Sequence, residues 1–341
     1  MYLICYGTRP ELIKLIPLIN KFKEININFL TLFSGQHPDL IEQFYNLVPP
    51  PDILVENIME KGQCLDNLIA KILIKMSDVF QKYRDIKNVI IQGDTSTAYS
   101  IALSSFHNHK KIIHVEAGLR TFDKYSPFPE EMNRIMISRL ADIHLCPTIK
   151  SVENLKNEGV KHNIHLVGNT IVDTFDYVSK NTDIPNNIKH IVDKGKYIVV
   201  TLHRRENRGE RMKTMWKQLN ELSDNYKIIY ITHPSLPESK EILNNKITKL
   251  EPLGYIEMVH LIKKCYGMIT DSGGLQEEAV CANKKVLVCR KTTEREETIE
   301  CGYGYLVDTD IINNVSFFDE QNKIIVNPYG KNVCDKILNL L

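Results

Sequence analysis

Several side chains in this sequence have the types and spacing to move protons. Glu130 and Glu131 are adjacent in "SPFPEEMNR", Glu116 follows an apolar run in "HVEAGLR", Asp94 closes "NVIIQGD", and His203 closes "YIVVTLH". Carboxylates, or a carboxylate with an imidazole, serve as general acid and base when their surroundings push their pKa values apart. An acid directly behind a buried strand, as at Glu116, demands a partner and is open to such a shift. Each residue also has a plainer reading. Asp94 could cap the following helix, the two acids of "PEEM" could decorate a helix start, and His203 could be satisfied within the fold.

Two further stretches could hold an anion. In "TDSGGLQEEA" a strand ends in Ser272-Gly273-Gly274 and a helix begins, which presents backbone amides at the positive end of a helix dipole where only glycine allows close approach. A diphosphate seat with Glu278 placed for a sugar hydroxyl is one reading. A tight turn with a serine cap is the other. In "GTRPELIK", Gly7 permits a sharp turn, Pro10 suits a first helical position, and Arg9 and Lys14 are either fixed positive charge for a ligand or two solvated bases. Pro17 is expected to interrupt and kink this helix. Neither GxGxxG nor GxxxxGK[ST] occurs, so a tightly bound NAD and an ATPase reaction are not expected.

These residues need elements to hold them. "YLICYG", "INFLTLFSG", "NVIIQGD", "KIIHVEAG" and "DIHLCPT" read as strands buried on both faces of a parallel sheet, and "YIVVTLH", "KIIYITHP", "GMITDSGG" and "KVLVCR" repeat the pattern later. Helices are expected between them. The clearest covers 63–83, where Leu65, Leu68, Ile69, Ile72, Met76, Val79, Phe80 and Tyr83 form one apolar face, with others at 208–223, 256–264 and 275–282. Two α/β sheets follow, and ligands of open α/β sheets sit beyond the carboxyl ends of the strands, where "YGTRPELIK", "QGDTSTAY", "HVEAGLR" and "TDSGGLQEEA" fall. The polar stretch 172–196 is the expected hinge, and "NVCDKILNLL" a short amphipathic helix.

Composition limits the rest. With 341 residues the chain can form two cores, and a net charge of +1 offers no electrostatic footprint for nucleic acid or an anionic membrane. No run reaches the roughly 20 apolar residues that span a bilayer, and "MYLICYG" enters a strand without a basic segment, so a cytoplasmic location is expected. Cys5, Cys64, Cys146, Cys265, Cys281, Cys289, Cys301 and Cys334 form no CxxC pair and read as buried thiols rather than metal ligands.

Taken in order, "GTRPE", "QGDT", "HVEAGLRT", "SPFPEEMNR", "VGNTIVDT", "HRREN", "TDSGGLQEEA" and "TTER" resemble the non-hydrolysing UDP-N-acetylglucosamine 2-epimerases, over nearly the whole chain to "NPYG". The resemblance implies an α/β GT-B fold of two Rossmann-like domains with parallel sheets facing a central cleft. It divides the chain into 1–172, carrying the acid and base residues, 173–326, binding UDP, and 327–341, a helix returning to the first domain. It further implies a homodimer that interconverts UDP-N-acetylglucosamine and UDP-N-acetylmannosamine without NAD or metal, by eliminating UDP to an enzyme-held 2-acetamidoglucal. Matched motif by motif, Asp94, Glu116 and Glu130 are the catalytic carboxylates and His203 the catalytic histidine, while Glu131 reads as structural. Arg9 and Lys14 would lie at the sugar nucleotide, Ser272, Gly273 and Gly274 at the diphosphate, Glu278 at the ribose, Arg295 at the nucleotide, and Leu253 and Met258 near the uracil.

Some positions depart from the family. "SGQHPDL" stands where "GQHREM" is common, so activation by a second substrate molecule, for which Gln36, His37 and His233 are the candidate residues, is expected to be altered. "ITHPS" replaces "VHxNP", and Leu202 replaces a usual glycine before His203, which could narrow the cleft for a modified diacetamido or deoxy sugar. A hydrolysing epimerase, a GT-B glycosyltransferase and a noncatalytic sugar-nucleotide sensor are the alternatives. "GTRPE" argues against the first, and the full acid set against the last two.

Overall fold

The opening apolar run becomes the centre of a sheet. In the computed structural model, which describes residues 1–35, 41–56, 58–60, 62–320 and 326–341, β1 (Tyr2–Tyr6) is buried from Leu3 onward. It pairs in parallel with β2 (Phe29–Phe33) on one side and β4 (Asn88–Gln92) on the other. With β3 (Ile53–Leu54), β5 (Lys111–Val115), β6 (Ile143–Cys146) and β7 (Ile164–Leu166), the sheet runs β3-β2-β1-β4-β5-β6-β7, every pairing parallel. Its helices are α1 (Arg9–Glu24), α2 (Leu65–Lys82), α3 (Ser96–His107), α4 (Glu130–Leu140) and α5 (Ile149–Asn157), and α6 (Ile171–Asn181) begins in this unit and ends in the next. The periodic face of α2 buries Leu68, Ile72, Met76, Val79 and Phe80 in one cluster with Leu3, Val89 and Ile91. Such burial contributes roughly 1.5–3 kcal/mol per large apolar side chain.

A second sheet repeats the plan. After α7 (Asn186–Val192), β8 (Tyr197–Thr201), β9 (Lys227–Ile231), β10 (Thr248–Leu250), β11 (Gly267–Thr270), β12 (Val286–Val288) and β13 (Gly304–Leu306) are ordered β10-β9-β8-β11-β12-β13, again all parallel. The helices here are α8 (Glu210–Leu222), α9 (Ser239–Ile242), α10 (Tyr255–Lys264), α11 (Gly273–Cys281) and α12 (Glu296–Glu300). On α8, Met212, Met215, Trp216, Leu219 and Leu222 pack with Ile198, Val200 and Tyr230, and the Trp216 Nε1–H donates to the Tyr230 hydroxyl at 3.0 Å. The chain divides into two compact units, Met1–Thr174 with Tyr329–Leu341, and Phe175–Pro328.

Three details differ from the sequence reading. The short strands β3, β7, β10 and β13 were not foreseen, because two or three residues are too few to carry a period. The polar stretch before β8 is helical, with Ile188, Ile191 and Val192 of α7 buried at helical spacing. Pro17 does not interrupt α1, which runs through it. A proline removes one N–H from the helix ladder and orphans the carbonyl four residues earlier. That carbonyl, on Ile13, accepts the Thr174 hydroxyl at 2.7 Å.

The last helix, α13 (Val333–Leu338), belongs to the first unit. Its own N-cap, Asn332, makes no side-chain cap bond, and Asp173 substitutes for it by accepting the Val333 N–H at 3.1 Å and the Cys334 N–H at 2.7 Å. Lys21 of α1 pairs with Asp335 at 3.2 Å, and the Tyr2 hydroxyl donates to the Leu341 carbonyl at 3.1 Å. Removing a cap costs about 1 kcal/mol. In Asp173→Ala, amides of 333–338 should therefore exchange faster while β1 and β4 keep their protection, as followed by hydrogen exchange.

Candidate active site

In both sheets the strand order reverses once, between β1 and β4 in the first unit and between β8 and β11 in the second. Loops leaving the carboxyl ends of those strands part company, which opens a crevice at that edge. Arg9, Asp94 and Glu116 follow β1, β4 and β5, and His203 and Ser272 follow β8 and β11.

Glu116 takes the first turn after β5 with φ of 65°, an uncommon value for a residue with a long side chain. Its carboxylate is paired with the Lys14 ammonium and accepts the Gln92 Nε2–H at 3.0 Å. Both members of the ion pair are about nine-tenths buried, at 10% and 8% side-chain exposure. The burial that the sequence implied for this acid is thus compensated, and Lys14 is no solvated base. Arg9 lies over the Phe44 ring, 5.9 Å from its centroid.

Asp94 does not cap α3. That position belongs to Thr95, whose hydroxyl oxygen accepts the Ala98 N–H at 3.0 Å. The Asp94 carboxylate instead accepts from Arg134 Nε at 2.7 Å and lies 2.7 Å from Nη2, while its carbonyl accepts the Asn133 Nδ2–H at 2.8 Å. Arg134 also donates to Glu131 at 2.9 Å. Glu131 is fully buried, and its other oxygen accepts the N–H groups of Thr121 at 3.1 Å and Phe122 at 3.0 Å. Every bond of Glu131 holds the protein together.

Its neighbour is different. Glu130 opens α4 after a turn in which both the Ser126–Pro127 and Phe128–Pro129 bonds are cis, and its buried Oε2 has no hydrogen-bond partner among the described residues. A buried acceptor left over in a native fold calls for an explanation, and a ligand hydroxyl is one.

In the second unit the organising group is Asp271, fully buried at the end of β11. It accepts the backbone N–H groups of His203 at 3.0 Å and Arg204 at 2.9 Å, and the Asn207 side-chain amide at 3.0 Å. The His203 Nδ1 lies 3.6 Å from the same carboxylate. His233 stacks on His203, with centroids 5.0 Å apart and planes 15° from parallel. Because His233 Nδ1 accepts the Ser235 N–H at 3.1 Å, its neutral ring carries the proton on Nε2, and burial followed by the neighbouring His203 lowers its pKa. Leu202 is 1% exposed within the core that contains Trp216 and Tyr230, so its bulk does not narrow a site.

Ser272 occupies the N-cap of α11 without a side-chain cap bond, and no acid lies in the first turn. The serine-cap reading therefore fails. A Cβ on Gly273 would sit 3.0 Å from Glu294 Oε1 and 3.9 Å from Arg204 Nη2, whereas one on Gly274 would meet nothing within 4 Å. Around Glu294 gather Arg290 at 2.6 Å, Arg204 at 3.6 Å and Arg295 at 3.7 Å. Arg295 also donates to Glu277, the neighbour of Glu278 on α11, at 2.6 Å. Leu253 lies in the loop that enters α10, and Met258 is buried on it. Gln36 and His37 fall outside the described residues.

Sequence reasoning overlooked Glu11, Gln92, Arg134, Asp271 and Glu294. Only Glu11 had a local signal, the Thr8-x-x-Glu11 capping pattern. His114 was overlooked too. Burial lowers it to about 3, so its neutral ring donates Nε2–H to the Gly93 carbonyl at 2.8 Å, just before Asp94.

Two doubly wound units, each with polar groups gathered at its switch point, define an α/β protein of the GT-B class. The family model described as UDP-N-acetylglucosamine 2-epimerase matches residues 20–341. The UDP-N-acetylglucosamine 2-epimerase of Campylobacter jejuni is 38% identical over 99% of this chain and 96% of its own length. Among solved structures, the UDP-GlcNAc 2-epimerase from Neisseria meningitidis bound to UDP-GlcNAc matches with a TM-score of 0.88 at 31% identity, covering 99% of this chain and 98% of that one. The enzyme from Methanocaldococcus jannaschii in complex with UDP-GlcNAc and UDP matches at 0.86 and 32%, covering 100% and 99%. This chain belongs to the UDP-N-acetylglucosamine 2-epimerase family.

The arginines around Glu294 set a pH dependence. Burial would raise this carboxyl, but Arg295, Arg290 and Arg204 outweigh it and hold the pKa at about 2 against an ordinary 4.5. A depressed acid lends stability that is complete above the unfolded value and lost as pH falls toward the folded one. Between about pH 4.5 and pH 2 the melting temperature of Glu294→Gln should therefore fall less steeply than that of the wild type in thermal scans.

Proposed function

We propose that this protein is an isomerase that interconverts UDP-N-acetylglucosamine and UDP-N-acetylmannosamine. Similarity along almost the whole chain to relatives named for this epimerisation carries the reading. The C2 proton beside an acetamido group is not acidic enough for direct exchange, so the route is elimination. A base takes the C2 proton, the C1–O bond breaks, and UDP leaves with the electron pair. Protonation of the resulting 2-acetamidoglucal at C2 from the opposite face, with return of the UDP oxygen to C1, completes the inversion. Every step of this route moves a proton or breaks and re-forms a C–O bond, and none transfers a hydride, so the route calls for neither NAD nor a redox metal.

Asp94, Glu116 and Glu130 are assigned to the sugar, where two faces need proton donors and acceptors, and His203 to the same chemistry. Lys14, partnered with Glu116, and Arg9 meet the sugar nucleotide. Ser272 and the helix-start amides of Gly273 and Gly274 take the diphosphate, Glu278 the ribose, Arg295 the nucleotide, and Leu253 and Met258 the uracil side. We further assign the protein to a cytoplasmic homodimer that supplies polysaccharide synthesis.

Proton NMR of the protein with UDP-N-acetylglucosamine in heavy water is the direct test. UDP-N-acetylmannosamine carrying deuterium at C2 is expected. Free sugar with UDP would move the protein to the hydrolysing branch, and turnover of diacetamido or deoxy analogues alone would change the substrate.

Two variant pairs test the assignments. Glu130→Gln should abolish turnover with an unchanged melting temperature, whereas Glu131→Gln, which breaks a buried ion pair, should lower stability by about 3–5 kcal/mol. Activity lost only in the second would reverse the roles. Gly274→Ala has room in the fold and should keep the melting temperature while weakening UDP binding at least about tenfold by calorimetry, since a methyl at the seat holds the diphosphate off the amides.

A further inference from the structure

None of the assigned roles uses Glu11, a carboxylate 1% exposed that accepts four hydrogen bonds. Its Oε2 takes the N–H groups of Gly7 at 3.0 Å and Thr8 at 2.7 Å and the Thr8 hydroxyl at 2.7 Å. Its Oε1 takes the Thr95 hydroxyl at 2.7 Å. A glutamate at the third position of a helix completes a capping box by reaching only the N-cap N–H. The bonds to Gly7 and Thr95 go beyond that requirement.

The Thr95 hydroxyl has one proton. It gives that proton to Glu11 while its oxygen accepts the Ala98 N–H and closes the first turn of α3. One carboxylate therefore ties the turn after β1 to the turn after β4, across the reversal in strand order. The two turns are also in tight contact, because a Cβ on Gly7 would lie 2.2 Å from Thr97 Oγ1 and 2.4 Å from Ser34 Oγ. Burial pushes the Glu11 carboxyl up to about 7 and the donors oppose it, so the charged form that can accept all four bonds depends on the donor set remaining in place.

We infer that Glu11 is a positioning residue: through the Thr95 hydroxyl it sets where Asp94, the preceding residue, stands relative to the turn that carries Arg9. This rests on the assignment of Asp94 to the sugar. Lys14 lies three residues after Glu11 on the same helix and holds Glu116, so the placement of α1 governs both acids.

The test compares steady-state conversion of UDP-N-acetylglucosamine by the full-length wild type, Thr95→Val, Thr95→Ser and Glu11→Gln, with melting temperatures measured alongside. Thr95→Val keeps the shape and removes both the donor to Glu11 and the acceptor that caps α3, whereas Glu11→Gln leaves that cap in place and so isolates the link. Its kcat should fall about 10- to 100-fold with KM changed by less than about twofold, the signature of a misplaced reacting group. Thr95→Ser restores the hydroxyl and should stay within about threefold of the wild type. Glu11→Gln should lose kcat as Thr95→Val does. Melting temperatures that drop while kcat, measured well below them, stays at the wild-type value would reduce Glu11 to a helix cap and overturn the inference. So would equal losses in Thr95→Val and Thr95→Ser. A wild type that turns over no UDP-linked hexosamine overturns the functional reading with it, whereas an active wild type with an unchanged Thr95→Val overturns this inference alone.

Discussion

A carboxylate removed from water must be met by donors, and the turns at both switch points are organised around carboxylates met in this way. Asp271 accepts two successive backbone N–H groups and a side-chain amide, which fixes the loop that begins at His203. Glu11 does the same for the turn after β1, and Glu131 for the segment at Thr121 and Phe122. Removing any one would leave several donors without their partner at once, and each that is shut off from water costs about 1–3 kcal/mol. Loops that would otherwise be soft surface connections thereby become rigid supports.

The acids assigned to chemistry are held differently from the acids that build. Glu11 and Asp271 spend their oxygens on uncharged backbone and side-chain donors, and Glu131, which shares the Arg134 guanidinium with Asp94, gives its other oxygen to two backbone N–H groups. Glu116 is paired with an ammonium and an amide, Asp94 with a guanidinium, and Glu130 retains a buried oxygen without a partner among the described residues. A charged partner holds an acid in place, and an unused oxygen keeps one available. Groups with separate tasks on one sugar need such separate surroundings.

Family membership follows from similarity over the full length, while the chemical argument depends on the local networks. Parallel strands deliver every loop of interest to one edge of each sheet, so residues remote in sequence, such as Lys14 and Glu116, become partners. The same geometry explains why Pro17 is tolerated: the carbonyl it strands lies within reach of Thr174, far along the chain.

Periodicity and motif order were enough to foresee two parallel sheets, the long apolar face of α2, the places where acids and glycines follow strands, and the family. These are local properties, written in residue type and spacing. The tertiary structure alone decided how each acid is held. Asp94 and Thr95 are adjacent candidates for one cap, and only the position of Arg134 on α4 shows that Asp94 is engaged elsewhere. Glu130 and Glu131 are chemically the same and one residue apart, yet the helix turns one toward the backbone amides of Thr121 and Phe122 and leaves an oxygen of the other unpartnered among the described residues. Leu202 looked like a change at the site until its side chain was found in the core. The edge strands β3, β7, β10 and β13 were likewise invisible, because a strand of two or three residues is defined by the neighbour it pairs with, and a pairing between distant segments has no local signature in the sequence.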